Sequence, residues 1–190
     1  MPLSFHITGR DVAADLLASP RVTGIGWVVS IGGTTDDMPA SLAAFEGPSL
    51  RLNFDDIERE RHQLGYFGPS ADDVEALVAF SRNLASDRQL WRAKGLVHCG
   101  AGISRSAAAV LTMAATLLGP GAESNAVSTL HAARFRSLAE GWRDPGVGFR
   151  PNRRLVWLAD EALGRSGRLL RAVEDGFAYA YGTEAYVRGR

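Results

Sequence analysis

The sequence predicts one α/β domain over residues 1–190, with a small, mostly parallel central sheet flanked by helices. Short apolar runs that stop at glycine or polar residues alternate with longer segments of helical periodicity, which is the order of parallel α/β folds. With 190 residues and 46% hydrophobic content, the chain is long enough to bury one core. A Cys-x5-Arg segment lies between an apolar run and an alanine-rich run, so a loop is predicted between a strand and a helix.

The first half of the chain contains three apolar runs and two segments with helical features. Apolar alternation and the stop signal of Gly32 and Gly33 predict strands. Acidic residues early in a helical segment favour its N-terminus. The predicted strands are 5–7, 26–31 and 50–54, and the predicted helices are 11–17 and 71–84.

The second half contains one more strand and is otherwise helical. The strand is predicted at 95–98 and the following helix at 105–118, which Gly119 and Pro120 end. A serine cap opens the next predicted helix, 124–135. A helix is also predicted at 152–163, after Pro151.

The segment from His98 to Ser106 places the chain's single cysteine five residues before an arginine. A loop that enters a helix directs its backbone N–H groups and the positive end of the helix dipole at one centre, which favours an anion and a thiolate. Cys99 is therefore the candidate nucleophile. The planar guanidinium of Arg105 suits two oxygens of a phosphoryl group. Gly102 has no Cβ and therefore allows the backbone of the turn without a steric penalty. Ser106 places a hydroxyl near the sulfur, where it can stabilise the leaving thiolate, and His98 is predicted to support the loop.

This segment resembles the His-Cys-x-x-Gly-x-x-Arg-Ser/Thr signature of the cysteine-dependent protein tyrosine phosphatases. Its residues Ala-Gly-Ile-Ser-Arg-Ser are most similar to those of the dual-specificity branch and its compact bacterial relatives. The resemblance implies a phosphomonoester hydrolase that forms a phosphocysteine intermediate and needs no cofactor or metal. It also implies that the loop holds the phosphate, through Gly100, Ala101, Gly102, Ile103, Ser104 and Arg105.

The resemblance further implies a general acid on a separate loop upstream of the nucleophile. Asp55 and Asp56 stand where the alternating strand at 50–54 ends. In the dual-specificity pattern the second member of such an acidic pair donates the proton, so Asp56 is predicted as the acid and Asp55 is the reserve. The interval from Asp56 to Cys99 is longer than in compact relatives, with extra residues around 59–69.

The composition and charge of the chain limit the classes of partner and the cellular locations that we expect. The 21 basic and 21 acidic residues give no net charge, so no nucleic-acid partner is predicted. No segment approaches the length of an apolar membrane span and the N-terminus lacks a secretory pattern, so a cytoplasmic location is expected. A single cysteine fits a reducing compartment. The aromatic tail (Phe177, Tyr179, Tyr181 and Tyr186) either docks on the domain or mediates self-association.

Two further hypotheses stay open at this stage. One is a pseudophosphatase that binds phosphate without efficient turnover; the other is sulfur transfer of the rhodanese kind, against which the Arg105-Ser106 ending argues. Phosphoinositide-directed relatives tend to carry lysines inside the loop, whereas this loop has none at 100–104. The sequence therefore favours a phosphorylated protein or peptide over a phosphoinositide as the substrate.

Overall fold

The structure is a computed structural model that describes residues 4–18, 24–59, 64–139 and 148–177, with no side-chain description at 134–139. Within these residues four strands form one sheet in the order β1, β4, β2, β3, and every neighbouring pair is parallel. The strands are β1 (Ser4–Gly9), β2 (Ile25–Gly32), β3 (Ser49–Asn53) and β4 (Lys94–Cys99). The predicted fold class is confirmed, and all four predicted strands are present.

Eight helices occur in the described residues. They are α1 (Arg10–Leu17), α2 (Ala40–Ala43), α3 (Ala71–Ser86), α4 (Arg88–Arg92), α5 (Arg105–Leu118), α6 (Glu123–Ala139), α7 (Arg153–Ala162) and α8 (Arg168–Gly176). The five predicted helices correspond to α1, α3, α5, α6 and α7. The other three were not predicted: α2 and α4 are too short to show periodicity, and α8 was also missed.

Strand β4 lies in the interior of the sheet and is covered on both faces. Val97 and Cys99 face the larger core, which the sheet forms with α3, α5, α6, α7 and α8. Leu96 faces a smaller core with α1 and α2. Alternation of side chains along a strand explains this division, and it places the candidate nucleophile on the larger-core side.

Helix α5 fixes the position of the loop that precedes it. Ten consecutive residues from Ser106 to Ala115 are buried, and five of them are alanine, so the sheet and the neighbouring helices approach α5 closely. Gly119, with a φ of 80°, ends the helix in the left-handed region. Because α5 is buried over most of its length, its first turn is held rigidly at the edge of the sheet.

The predicted serine cap of α6 is wrong. The helix begins at Glu123, so Ser124 lies inside its first turn. The Glu123 carboxylate accepts the Gly121 N–H at 3.2 Å and pairs with the guanidinium of Arg168 at 3.5 Å. A glutamate thus stands at the helix N-terminus, where a negative charge is favourable, and it accepts the N–H of a residue that precedes the helix.

At the C-terminal end of the described residues, the chain docks on the domain. Phe177 is fully buried, and its ring stacks on His131 with centroids 4.6 Å apart. Tyr179, Tyr181 and Tyr186 lie outside the described residues, so self-association stays a prediction. Among the helices of the described part of the chain, none has both the length and the apolarity needed to cross a membrane.

Candidate active site

The predicted nucleophile is the last residue of β4 and is buried at the start of the loop. The Sγ of Cys99 accepts the backbone N–H of Gly102 at 3.3 Å. The Oγ of Ser106, in the first turn of α5, lies 3.4 Å from the same sulfur. The sulfur is thus held between a backbone donor and a hydroxyl, both of which can donate to a thiolate.

The loop turns its carbonyl groups toward the surrounding protein. Three of them accept backbone N–H groups from outside the loop: Gly100 from Arg10 at 3.1 Å, Ile103 from Arg150 at 3.2 Å, and Ser104 from Asn152 at 3.3 Å. In a planar trans peptide the next N–H points the opposite way. The N–H groups of Ala101, Ser104 and Arg105 therefore point away from those neighbours, which is the arrangement an anion-binding loop requires.

Gly102 permits both the turn and its close contact with β1. Its φ is 77°, in the left-handed region that favours glycine. A Cβ at this position would lie 2.4 Å from the carbonyl carbon of Thr8 and 2.7 Å from the nitrogen of Gly9. The loop therefore rests directly on the end of β1.

The guanidinium of Arg105 is anchored to the residue that follows β3. Its Nη1 donates to the backbone carbonyl of Phe54 at 2.8 Å. Its Nε is buried and has no protein partner among the described residues. A Cβ on Gly100 would be 3.4 Å from Nη2, so the guanidinium lies beside the loop. One donor is thus used to fix the side chain while others stay available to an anion.

Asp55 is held in place as a carboxylate by neighbouring loops. It accepts the Thr34 hydroxyl at 2.7 Å and the Phe67 N–H at 2.9 Å on Oδ2, and the Thr34 N–H at 3.3 Å on Oδ1. Burial acts to raise the pKa of Asp55, but these hydrogen bonds and the charge of Arg105 together hold it below its usual value.

Asp56 faces the other way and contacts the loop itself. Its Oδ1 accepts the hydroxyl of Ser104 at 2.7 Å and the side-chain amide of Asn152 at 2.8 Å. The side chain of Ser104 therefore bonds to the candidate acid and does not cap α5. The structure brings Asp56 to the rim of the loop, across 48 residues of sequence.

Asn152 joins three segments at this rim. Its Oδ1 accepts the Leu155 N–H at 3.0 Å as the N-cap of α7, while its Nδ2 donates to Asp56. Its backbone N–H donates to the Ser104 carbonyl. Asn152 was predicted only as the start of a helix; its side chain proves to link the candidate acid to the phosphate-binding loop.

His98 lies behind the loop, on the smaller-core face of the sheet. It is 2% exposed, and burial, together with the positive charges of Arg51 and Arg10, lowers its pKa from 6.5 to about 4. Arg51 donates to the Ser30 hydroxyl at 2.7 Å, and Arg10 pairs with Asp36. A neutral imidazole therefore lies next to an arginine-rich layer, in a position to support the loop.

Known structures share this arrangement of strands and helices. The human tyrosine phosphatase-like serine/threonine/tyrosine-interacting protein matches with a TM-score of 0.56 at 18% identity, over 84% of this chain and 90% of that one. DUSP15 matches with a TM-score of 0.53 at 19% identity, over 93% and 94% of the two chains. The chain has the cysteine-based phosphatase fold.

A third similar structure with this phosphatase fold is the PTP-2 phosphatase of Cydia pomonella. Its TM-score is 0.52 at 22% identity, over 83% of this chain and 84% of that chain. No protein-family model and no curated protein matches the sequence. The phosphatase fold is therefore recognised from structure and from the signature loop.

Proposed function

We propose that this protein is a cysteine-dependent phosphomonoester hydrolase that acts on phosphorylated proteins or peptides. The observation that carries the proposal is the buried Cys99 sulfur, 3.3 Å from the Gly102 N–H and 3.4 Å from the Ser106 hydroxyl, in a loop whose carbonyls are bonded outward. Such a loop is built for a nucleophile and an oxyanion at one place.

In the first step the Cys99 thiolate attacks phosphorus, so that a sulfur–phosphorus bond forms while the bond to the leaving oxygen breaks. The N–H groups of the loop from Gly100 to Arg105, of which those of Ala101, Ser104 and Arg105 point away from the surrounding protein, and the guanidinium of Arg105 hold the equatorial oxygens, where negative charge grows. Asp56 donates its proton to the leaving oxygen. The products of this step are the free hydroxyl group of the substrate and phosphocysteine.

In the second step water attacks the phosphocysteine. The Asp56 carboxylate takes the proton from this water, and the sulfur leaves as a thiolate toward the Ser106 hydroxyl 3.4 Å away. Inorganic phosphate is the product, and Asp56 is again protonated. Asp55 is a poorer acid because its pKa is held low and both its oxygens accept hydrogen bonds.

The test is hydrolysis of para-nitrophenyl phosphate across pH without added metal, by the native protein and by Cys99→Ser. Turnover that Cys99→Ser reduces to background supports the proposal. Phosphotyrosine and phosphoserine peptides assayed in parallel separate the substrate classes. Full activity in Cys99→Ser would contradict the mechanism.

A phosphate-binding role without turnover is the second candidate. It is favoured by the likeness to a protein described as phosphatase-like and as serine/threonine/tyrosine-interacting. No turnover by the native protein, combined with measurable binding of phosphate or vanadate, would support this second candidate. Because the proposed hydrolase needs Cys99 as a reduced thiol, we propose a cytoplasmic location, which cell fractionation tests.

A further inference from the structure

Phe67 lies directly beside the residue that precedes the candidate acid. The Asp55 N–H donates to the Phe67 carbonyl at 2.7 Å, and the Phe67 N–H donates back to the Asp55 carboxylate at 2.9 Å. These two bonds hold the described residues from 64 onward, which belong to the extra residues predicted around 59–69, next to the candidate acid.

Residues 64–67 carry three large apolar side chains that are open to solvent. Leu64 is 66% exposed, Tyr66 is 48% exposed and Phe67 is 46% exposed. Single exposed apolar residues are ordinary, but three within four residues form a patch. We refer to Leu64, Tyr66 and Phe67 as the acid-loop patch.

The acid-loop patch adjoins the phosphate-binding loop through a short chain of contacts. Arg105 donates to the Phe54 carbonyl at 2.8 Å, and the next residue, Asp55, exchanges two hydrogen bonds with Phe67. A phosphate held by Arg105 would therefore lie close to the patch. The groups next to the phosphorylated residue, not the phosphate itself, would reach these apolar side chains.

The charges around the patch favour a peptide over a lipid surface. Binding to an anionic bilayer needs a cluster of available basic side chains. Three arginines near Asp55 donate inside the protein: Arg10 to Asp36, Arg51 to Ser30, and Arg154 to the Pro69 carbonyl. Two more, Arg59 and Arg150, are exposed, but the exposed acidic residues Asp37 and Glu58 match them in number, so this surface carries no excess of positive charge. An apolar side chain of a peptide fits this surface better than an anionic lipid head group.

We propose that the acid-loop patch binds an apolar side chain next to the phosphorylated residue of a protein substrate. The inference rests on the proposed phosphatase function and narrows its substrate class. It assigns specificity to Leu64 and Tyr66, which lie outside the catalytic machinery, and it gives the longer acid loop a role in substrate choice.

The test compares two phosphotyrosine peptides of equal length and charge, one with leucine and one with glycine on both sides of the phosphotyrosine. The native protein should show kcat/KM about tenfold higher for the leucine peptide. The double variant Leu64→Ser/Tyr66→Ser should reduce that ratio to about twofold or less while turnover of para-nitrophenyl phosphate is unchanged. Trp157→Ser on α7, whose side chain is 47% exposed, is the matched control and should keep the native ratio.

Each outcome decides the proposal. Equal kcat/KM for the two peptides, with para-nitrophenyl phosphate turned over, would overturn it and leave the proposed function standing. A loss in the double variant that is confined to a phosphoinositide in phosphatidylcholine vesicles would overturn it in favour of a lipid surface. If the native protein turns over no substrate, the proposed function fails. Fluorescence anisotropy of the two labelled peptides then tests the proposal by binding. Equal affinity of the native protein for the two peptides overturns the proposal, whereas a preference for the leucine peptide that the double variant loses supports it.

Discussion

At the residue scale, Asp55 and Asp56 are neighbours in sequence with opposite surroundings. Asp55 has its carboxylate bonded to Thr34 and Phe67, whereas Asp56 accepts from Ser104 and Asn152 on one oxygen, Oδ1. The chain bends at Asp56, where the Ile57 N–H donates to the Asp55 carbonyl at 2.9 Å, and this turn separates the two acids. One of them fastens the loops together, and the other faces the site.

This difference predicts unequal effects of removing the two acids. Asp56→Asn should lower kcat for a phosphotyrosine peptide by about 10²–10³-fold because the leaving oxygen loses its proton donor. Asp55→Asn should lower kcat by about tenfold or less, since an amide oxygen can still accept from Thr34 and Phe67. Steady-state kinetics of both variants checks this. A larger loss in Asp55→Asn would move the acid role to Asp55.

The backbone at Gly102 allows a second prediction at this scale. Gly102→Ala should both strain the left-handed φ and drive the new methyl into Thr8, so we expect about a 10²-fold loss of kcat and a lower thermal midpoint. Gly119→Ala is the control: its φ is 80°, but a Cβ there meets nothing within 4 Å. It should cost about 1–3 kcal/mol of unfolding free energy and leave kcat unchanged. Equal kinetics in both variants would contradict the prediction.

At the scale of the element, the N-terminus of α7 carries Asn152, which both caps the helix and contacts the candidate acid. Asn152→Ala should lower the unfolding free energy by about 1–2 kcal/mol, since the cap and a buried amide are lost together. It should also lower kcat, because Asp56 loses a donor that positions it. Urea unfolding and steady-state kinetics measure the two effects.

A second substitution at the same position separates the two roles. Serine is a good N-cap, but its side chain is too short to replace the amide that reaches Asp56. Asn152→Ser should therefore recover most of the lost stability while kcat stays low. If Asn152→Ser restores both quantities together, the effect of Asn152 on catalysis acts only through the stability of α7.

At the scale of the whole molecule, the two faces of the sheet differ in polarity near the loop, and this predicts how stability depends on pH. The folded protein binds a proton on His98 only near pH 4, whereas the unfolded chain binds it near pH 6.5. The unfolded state therefore holds more protons between these values, so folding stability is full above about pH 6.5 and falls as the pH drops toward 4.

We expect His98 to contribute a loss of about 2 kcal/mol in unfolding free energy between about pH 7 and pH 5. Urea unfolding at the two pH values checks the slope, and His98→Asn should flatten it. Should this variant fold poorly, NMR titration of the His98 imidazole in the native protein gives the pKa directly. A value near 6.5 would contradict the prediction.

The arrangement of strand, loop and helix was predictable from sequence because it is local. Leu96 and Val97 lead into Cys99, and the alanine-rich run that follows Arg105 forms a buried helix. The length of an apolar run predicts a strand, and a high alanine content predicts a helix. Both features extend over a few neighbouring residues, so they can be recognised without knowledge of the rest of the fold. The short helices α2 and α4 were not readable, because four or five residues carry no periodic signal.

The sequence by itself therefore determined the fold class, the positions of the four strands along the chain, and the segment from Cys99 to Ser106 that forms the candidate site. Only the tertiary structure decided the contacts between distant segments. Asn152 meets Asp56 across 96 residues, and Arg105 meets the Phe54 carbonyl across 51. Such contacts depend on how helices and loops pack around the sheet, and no local pattern of residues encodes that packing.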